Sequence, residues 1–393
     1  MATTLKCSPV KALLLAFSAK QQYHALRCAQ AAGYTVHVLG RDMARNLRLS
    51  RYCSSYQEMN YKPGVTPVEE ALAEISEAVR RLSVDIVIPS DVVSTRLLTL
   101  IADRLPVKTC SLPDAAIFEK LNDKSWFYQF CERNKLPTPA TWLFQNAGEA
   151  SKALVDQEIS LPVIIKPIDR MGSSGIVTIK TRADLALLAS VTYRPLLIQQ
   201  YVDGRDCGIA MLCHRGKVVA YSFQRHFDWG YQYEDDPRVR PMVERIAMAT
   251  KFHGVAHFDV RESAKTGDLM LIECNPRYWY SMFALALAGL NFLKLSLETK
   301  SLDPENPLRV DKKEVRVNRF LLQRFLSRAV LTDSDWRTLK YYLTDPLPIL
   351  QERLHLLDDD QAGVAGSIED QTLALSHMSI PIPQKGNHSC VRP

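Results

Sequence analysis

Residues 161–176 read LPVIIKPIDRMGSSGI: an apolar run that carries a lysine at position 166 and ends in Met171-Gly172-Ser173-Ser174-Gly175. An ammonium buried without a partner costs several kcal/mol or shifts its pKa. Lys166 therefore either snorkels to the surface along its aliphatic stem or meets an anion. The following loop bears on the choice, because two glycines and two serines let backbone N–H groups and hydroxyls approach an anion closely. The pattern is not the strand–GxxxxGK[ST]–helix phosphate loop. No Lys-Ser/Thr follows Gly175, and Ile176-Val177-Thr178-Ile179 reads as a strand. The unit is a hairpin, with strands at 162–167 and 175–180 around a glycine-rich turn.

The chain of 393 residues suffices for two or three units with proper cores. Its hydrophobic content of 47%, charged content of 23% and formal charge of +6 are those of a globular protein with mild basicity. That charge suits phosphate-bearing ligands and is too dilute for a nucleic-acid stripe. The most basic stretch, RVDKKEVRVNRFLLQRFLSR at 309–328, has Leu321, Leu322, Phe325, Leu326 and Ala329 at helical spacing, so a packed helix with a solvated basic face is expected. Nine scattered cysteines without a CxxC pair suggest free thiols in a reducing, cytoplasmic setting. No apolar run reaches a membrane span, and Ala12–Phe17 is too short for a signal core and reads as a first strand.

The first third alternates strand and helix. Strands are expected at 10–17, 34–40 and 84–90, and helices at 23–33, 68–82 and 92–105, which makes a doubly wound parallel α/β domain over 1–113. The turn after its first strand, FSAKQQ, lacks GxGxxG. A helix at 122–135 and the boundary LPTPAT (136–141) open a small lobe, 114–202, with a strand near 141–144, a helix near 147–156, the hairpin, a helix at 182–190 and a strand at 196–202. A larger α+β lobe, 203–300, would hold two strands through 206–227, a polar loop DWGYQYEDDPR (228–238), a helix at 239–252, strands at 255–262 and 268–274, and a helix at 279–289. A helical extension (301–357) and a flexible polar tail (358–393) complete the chain.

Four further segments bear on Lys166. In LNDKSWFYQF (121–130), Asn122 can N-cap a helix whose first turn holds Lys124, a cation set against the helix dipole. In LIQQYVDGRD (197–206), a strand edge with Gln199 and Gln200 runs into a turn, with Asp206 beyond it. Such an edge can read a base through its backbone, and the carboxylate can accept from ribose hydroxyls; alone it is also a plain strand–turn–strand. In HFDVRESAKTGDLMLIECNPR (257–277), two strands present Asp259, Glu273 and Asn275, the last two on one face, with Arg277 two residues further on. Carboxylate and amide oxygens suit Mg²⁺, and an arginine fork suits a phosphoryl group; a salt-bridged strand end is the alternative. In YSFQRHF (221–227), Arg225 is a weaker candidate for a phosphate contact.

Taken together, NDK, IIKP…GSSG, QQYVDGRD and ECNPR, in this order over residues 1 to 300, resemble the ATP-grasp superfamily. The resemblance implies a two-lobed ATP-grasp module after the α/β domain. It implies that Lys124 and Lys166 bind the phosphates under a mobile loop formed by Met171, Gly172, Ser173, Ser174 and Gly175. It makes Gln199, Gln200, Tyr201 and Val202 the adenine hinge, Tyr201 and Val202 acting by backbone, and Asp206 the ribose acceptor. Asp259, Glu273 and Asn275 become ligands of Mg²⁺, or of Mn²⁺ in its place, and Arg277 the residue that steadies the transferred phosphate, with Lys166 and Arg225 beside it. Asp206 stands where the family usually has Glu, and YWYS (278–281) replaces a glycine-rich turn. SRYCSSY (50–56) and ALALAGLNF (284–292) echo the carbamoyl-phosphate-synthetase-like, carboxylate–amine ligase branch.

The implied activity is an ADP-forming ligase that joins a carboxylate to an amine through an acylphosphate. His226 and His257 are candidate bases, with a structural role as the plainer reading, and Cys274 faces the core. A phosphotransferase with one acceptor and a non-catalytic ATP-binding module are the alternatives. Small-molecule carboxylate and amine substrates are the expected partners, without nucleic acid or membrane, and a homodimer is compatible with the sequence.

Overall fold

The computed structural model describes residues 9–17, 21–168, 175–317 and 319–354. Met171, Gly172, Ser173 and Ser174 and the tail from 355 lie outside the described residues. Unbroken apolar runs mark strands covered on both faces. Accordingly β1 (Lys11–Ala16), β2 (Thr35–Gly40), β3 (Cys53–Glu58), β4 (Ile86–Pro89) and β5 (Lys108–Thr109) form a parallel sheet in the order β3-β2-β1-β4-β5. Helices α1 (Gln21–Ala31), α2 (Val68–Leu82) and α3 (Val92–Ile101) cover it. The order reverses between β1 and β4, so the crevice of this sheet opens after Ala16 and after Pro89. Asp91 opens α3 with a capping box and accepts from Phe17 N at 2.7 Å, tying the two strand ends together.

The helix expected at 122–135 is α5 (Lys124–Arg133), and a further helix, α4 (Ala115–Asn122), precedes it. The cap between them is Asp123, not Asn122: its carboxylate accepts from Trp126 N at 2.8 Å. Phe127 and Phe130 of α5 pack under the larger antiparallel sheet, Phe127 lying 5.9 Å from Phe258. The small lobe's own sheet holds β6 (Thr141–Phe144), β7 (Val163–Pro167), β8 (Val177–Ile179) and β9 (Leu196–Gln200) in the order β6-β9-β7-β8, with α6 (Ala147–Val155) packed on it. The hairpin stands as expected, β7 pairing antiparallel with β8.

The larger sheet joins β10 (Gly204–His214), β11 (Lys217–Phe227), β12 (Gly230–Glu234), β13 (Gly254–Ser263) and β14 (Leu269–Asn275), with α7 (Val239–Thr250) on one face. The polar loop expected at 228–238 therefore holds a five-residue strand at its centre, with Tyr233 fully buried. The helix expected at 279–289 is the shorter α8 (Met282–Leu287), and a second short helix, α9 (Phe292–Leu297), follows beyond that span. The segment beyond 301 also supplies a strand, β15 (Lys313–Arg316), which completes the sheet order β14-β13-β10-β11-β12-β15. Helices α10 (Arg319–Leu326), α11 (Asp333–Leu343) and α12 (Leu347–Leu354) come after it. The packed stripe expected on α10 is corrected in part, because Phe325 and Leu326 are exposed. The extension clasps the first domain instead. Tyr341 hydrogen-bonds His24 Nδ1 at 2.7 Å, and buried Asp345 accepts from Ser50 Oγ at 2.5 Å and Arg51 N at 3.0 Å. Among the described residues no helix is long and apolar enough to cross a membrane.

Candidate active site

The ends of β7 and β9 in the small lobe and of β13 and β14 in the larger one converge on a cavity of about 330 Å³. Lys124, Lys166, Gln199, Asp206, Asp259 and Glu273 all line it. So do Gln200, Tyr201 and Val202. The sequence separates these residues by up to 149 positions, and the pairing of β7 with β9 and of β13 with β14 brings them to one cleft.

Lys166 is buried to 3% exposure, and its ammonium donates to Gln199 Oε1 at 2.9 Å. Gln199 is oriented in turn by donating its Nε2 to Thr141 Oγ1 at 2.9 Å. Burial pushes the Lys166 pKa down to about 8, with Glu273 opposing the shift and Lys124 adding to it. Lys124, in the first turn of α5, reaches Glu273 at 3.4 Å. Its unfavourable place at a helix N-terminus is answered by that carboxylate.

Asp259 and Glu273 are direct partners across β13 and β14, beside a bulge that follows Asp259. Burial, then the facing Glu273, raise Asp259 well above the usual carboxyl range, although its side chain keeps part of its surface open to the cleft. For Glu273 burial acts upward too, but Lys124, the hydrogen bond from Asp259 and Lys166 outweigh it and hold this carboxyl at about 2. Two facing carboxylates, one of them unwilling to ionise, form a site that a divalent cation would relieve, so this pair fits Mg²⁺. Asn275 lies beside it with a different orientation from the one expected of a ligand. Its Nδ2 faces Asp259 Oδ2 at 3.4 Å, and its Oδ1 accepts from Arg277 Nη2 at 2.8 Å. Among the described residues no cluster of three or more His, Cys, Asp or Glu side chains is gathered, so a third ligand would have to come from Asn275 after its amide turns, or from the bound molecule.

Arg277 also donates Nη1 to the Tyr278 carbonyl at 3.1 Å and to Gln21 Oε1 at 3.3 Å. It thus sits between the metal-type pair and the crevice of the parallel sheet, where Gln21 begins α1. Arg225 is elsewhere. It is bound to Glu262 through Nε at 2.8 Å and Nη2 at 2.9 Å, and also to Glu234, so its guanidinium is committed to carboxylates and does not line the cleft. The Tyr201 N–H donates to Pro162 O at 3.0 Å, which narrows its backbone contribution to the carbonyl. Gln200 likewise turns its Nε2 to the Pro162 carbonyl, at 2.8 Å.

His257 is buried and stacked on Trp279 with ring centroids 5.1 Å apart, and burial, then His226 and Arg277, push its pKa down to about 3. It is a neutral packing group at working pH. Gly208 is what lets it sit there, since a Cβ would come within 2.6 Å of His257 Nε2 and 2.9 Å of Gln224 Nε2. His226 lines the cleft and meets Gln224 Nε2 at 3.0 Å. Cys274 points into the core with Phe258 and Cys131, as alternation implied. Of the YWYS aromatics, Tyr278 and Trp279 are buried and Tyr280 is about half exposed. Sequence reasoning passed over Arg261, which lines the cleft; its place two residues after Asp259 on β13 was the available signal.

Two family models match the chain: a RimK-like ATP-grasp domain over residues 121–228 and an ATP-grasp in the biosynthetic pathway with Ter operon over 192–320. A D-aspartate ligase of Enterococcus faecium is 23% identical over 224 residues, which cover 49% of this chain and 52% of that ligase. The arginine-specific carbamoyl phosphate synthase large chain of Geobacillus stearothermophilus is 26% identical over 180 residues, covering 41% of this chain and 17% of that protein. The chain thus spans about half, or much less, of the curated relatives it matches. Among solved structures, an L-amino acid ligase from Bacillus licheniformis superposes with a TM-score of 0.53 at 18% identity, over 77% of this chain and 76% of that one. The biotin carboxylase domain of a Hydrogenobacter thermophilus 2-oxoglutarate carboxylase, solved with MgADP, gives 0.57 at 16% identity, over 79% and 73%. These likenesses establish the fold.

Proposed function

Given that the chain belongs to the ATP-grasp superfamily, in its carboxylate–amine ligase branch, we propose that it is an ATP- and Mg²⁺-dependent, ADP-forming ligase. One observation carries this reading: two lysines and two facing carboxylates line a single cleft, Lys124 and Lys166 with Asp259 and Glu273. Lys166 and Lys124 bind the β- and γ-phosphate oxygens, and Gln199 holds Lys166 in place at 2.9 Å. Gln199, Gln200, the carbonyl of Tyr201 and the backbone of Val202 border the base, and Asp206 accepts from the ribose. Asp259 and Glu273, with Asn275, would hold Mg²⁺, which neutralises phosphate charge when bound.

The acceptor carboxylate enters from the crevice of the parallel sheet, beside Gln21 and Arg277. One of its oxygens attacks the γ-phosphorus, the bond from that phosphorus to the bridging oxygen breaks, and ADP leaves with the bridging electrons. Arg277 steadies the charge spread over the transferred group. An amine then attacks the acyl carbon of the resulting acylphosphate, the carbon–oxygen bond to phosphate breaks, and the nitrogen gives up a proton as the amide forms. The relatives named as amino-acid ligases make amino acids the first acceptors to try.

An ADP-release screen of amino acids and small carboxylates, singly and in pairs, tests the reading. Release that needs both a carboxylate and an amine, with an amide in the product, supports it. Phosphate transfer to one hydroxyl compound would assign a phosphotransferase, and nucleotide binding without turnover on any pair a regulatory module.

A further inference from the structure

Arg261 stands on β13 two residues beyond Asp259 and spends its guanidinium on one stretch of chain. Its Nε donates to the Val202 carbonyl at 3.2 Å, its Nη2 to the Gly204 carbonyl at 2.8 Å and its Nη1 to Asp206 Oδ1 at 2.6 Å. Residues 201–203 connect β9 of the small lobe to β10 of the larger one, so a single planar fork on the larger lobe holds both the connection and the carboxylate beyond it. Gly204 makes the approach feasible. Its φ is +149°, and a Cβ there would run into the Glu262 carbonyl, so the connection lies flat against β13.

Asp206 needs such a holder. It lies near the start of β10, directly opposite Arg261 in the β10–β13 pairing, and its side chain is 64% exposed, so without a partner the carboxylate would rotate in water. Arg261 engages one oxygen, Oδ1, and leaves Oδ2 able to accept from a ligand hydroxyl. A site that hydrogen-bonds a hydroxyl through a fixed group rejects the analogue lacking it, whereas a mobile group discriminates poorly. We infer that Arg261 is the positioning residue of ribose recognition: by pinning Asp206 and the hinge carbonyls it makes the cleft prefer a ribonucleotide to its 2′-deoxy counterpart. This inference rests on the ATP reading above.

Calorimetric binding of ATP and 2′-deoxy-ATP with Mg²⁺ to the full chain, its R261M and R261K variants, D206N and the R261M/D206N double variant tests it. Wild type should favour ATP by about tenfold, the worth of one hydrogen bond to a charged group. R261M should weaken ATP about tenfold, leave deoxy-ATP much less affected and bring the ratio near unity. R261K, which keeps the charge and stem but not the fork, should lose the preference as well and guards against a misfolded R261M. D206N should add little in the double variant. A ratio preserved in both Arg261 variants, or effects of Arg261 and Asp206 that add independently, overturns the inference. Equal wild-type affinities overturn it while leaving the ATP reading intact, and wild type that binds neither nucleotide removes the ATP reading and this inference with it.

Discussion

The Lys166 ammonium donates to Gln199 Oε1 at 2.9 Å across the β7–β9 pairing, and each residue is only 3% exposed. A neutral amide satisfies one of the three N–H donors but does not neutralise the charge, so the site holds a desolvated cation ready for an anion. Burial lowers its pKa to about 8. Between about pH 8 and the unfolded lysine value of about 10.4, the unfolded chain keeps a proton that the folded chain has released, so stability rises with pH through that window. Lys166→Met should abolish this rise and make the nucleotide-free protein melt higher than wild type near neutral pH. The same variant should weaken ATP by about 1.5–3 kcal/mol, and in wild type ATP affinity should fall as pH climbs past about 8. Thermal melts and nucleotide titrations against pH check both halves; melting curves that track wild type at every pH would place the ammonium in solvent.

Glu273 answers Lys124 at 3.4 Å and faces Asp259 across the β13–β14 ladder. Glu273→Gln keeps the shape and removes one charge. Asp259 then loses the neighbour that raises its pKa and should ionise more readily, yet a single carboxylate holds a divalent cation more weakly. ADP formation should drop by a hundredfold or more, about 2.7 kcal/mol, with the Mg²⁺ concentration for half-maximal rate raised and nucleotide binding largely kept. Turnover at the wild-type rate would remove Glu273 from the metal assignment.

Where residue pattern and local chemistry coincide, the sequence was readable. Val68–Leu82 is helical over the span expected from its periodicity, and β7 pairs with β8 as the hairpin reading required. Lys166, Gln199, Asp259 and Glu273 were legible because charged or amide groups have no packing reason to sit in apolar strands. What escaped depends on partners distant in the chain. Gly230–Glu234 reads as a polar loop, but β15, some eighty residues on, gives it a second neighbour and so makes it a strand. Arg225 looks like a phosphate ligand until Glu262, 37 positions away, claims its fork. Arg261 looked like any surface arginine, since carbonyl oxygens leave no mark in a sequence.

Arg225, held by Glu262 and Glu234 with Asp236 3.9 Å away, should matter to stability rather than to turnover. Arg225→Met takes the cation from Glu234 and leaves Glu262 only Arg238, 3.3 Å away, while Asp236 keeps its own pairing with Arg238. Urea unfolding should show a loss of about 1–3 kcal/mol, while the rate of ADP formation at saturating ATP stays within about threefold, or 0.65 kcal/mol, of wild type. A collapse of the rate with unchanged unfolding would return Arg225 to the phosphates.

Asp345, between α11 and α12, joins the C-terminal extension to the first domain. Its carboxylate accepts from Ser50 Oγ and Arg51 N, its carbonyl accepts from Tyr23 OH at 2.9 Å, and the residue is 2% exposed. Close by, Arg27 donates to the Tyr341 carbonyl at 2.7 Å and lies 4.2 Å from the centre of that ring. These contacts hold α11 against α1, the helix that begins with Gln21 beside Arg277. Asp345→Ala leaves the buried Ser50 hydroxyl and the partly buried Arg51 N–H without their acceptor, which costs about 1–3 kcal/mol for the group that water cannot reach. Hydrogen exchange should speed up in both 21–31 and 333–343, and the melting temperature should fall, with ATP affinity near wild type because the cleft lining is untouched. Faster exchange confined to 333–343 would mean that α1 keeps its place without the clasp, and the extension would then be packing on the first domain without bracing it.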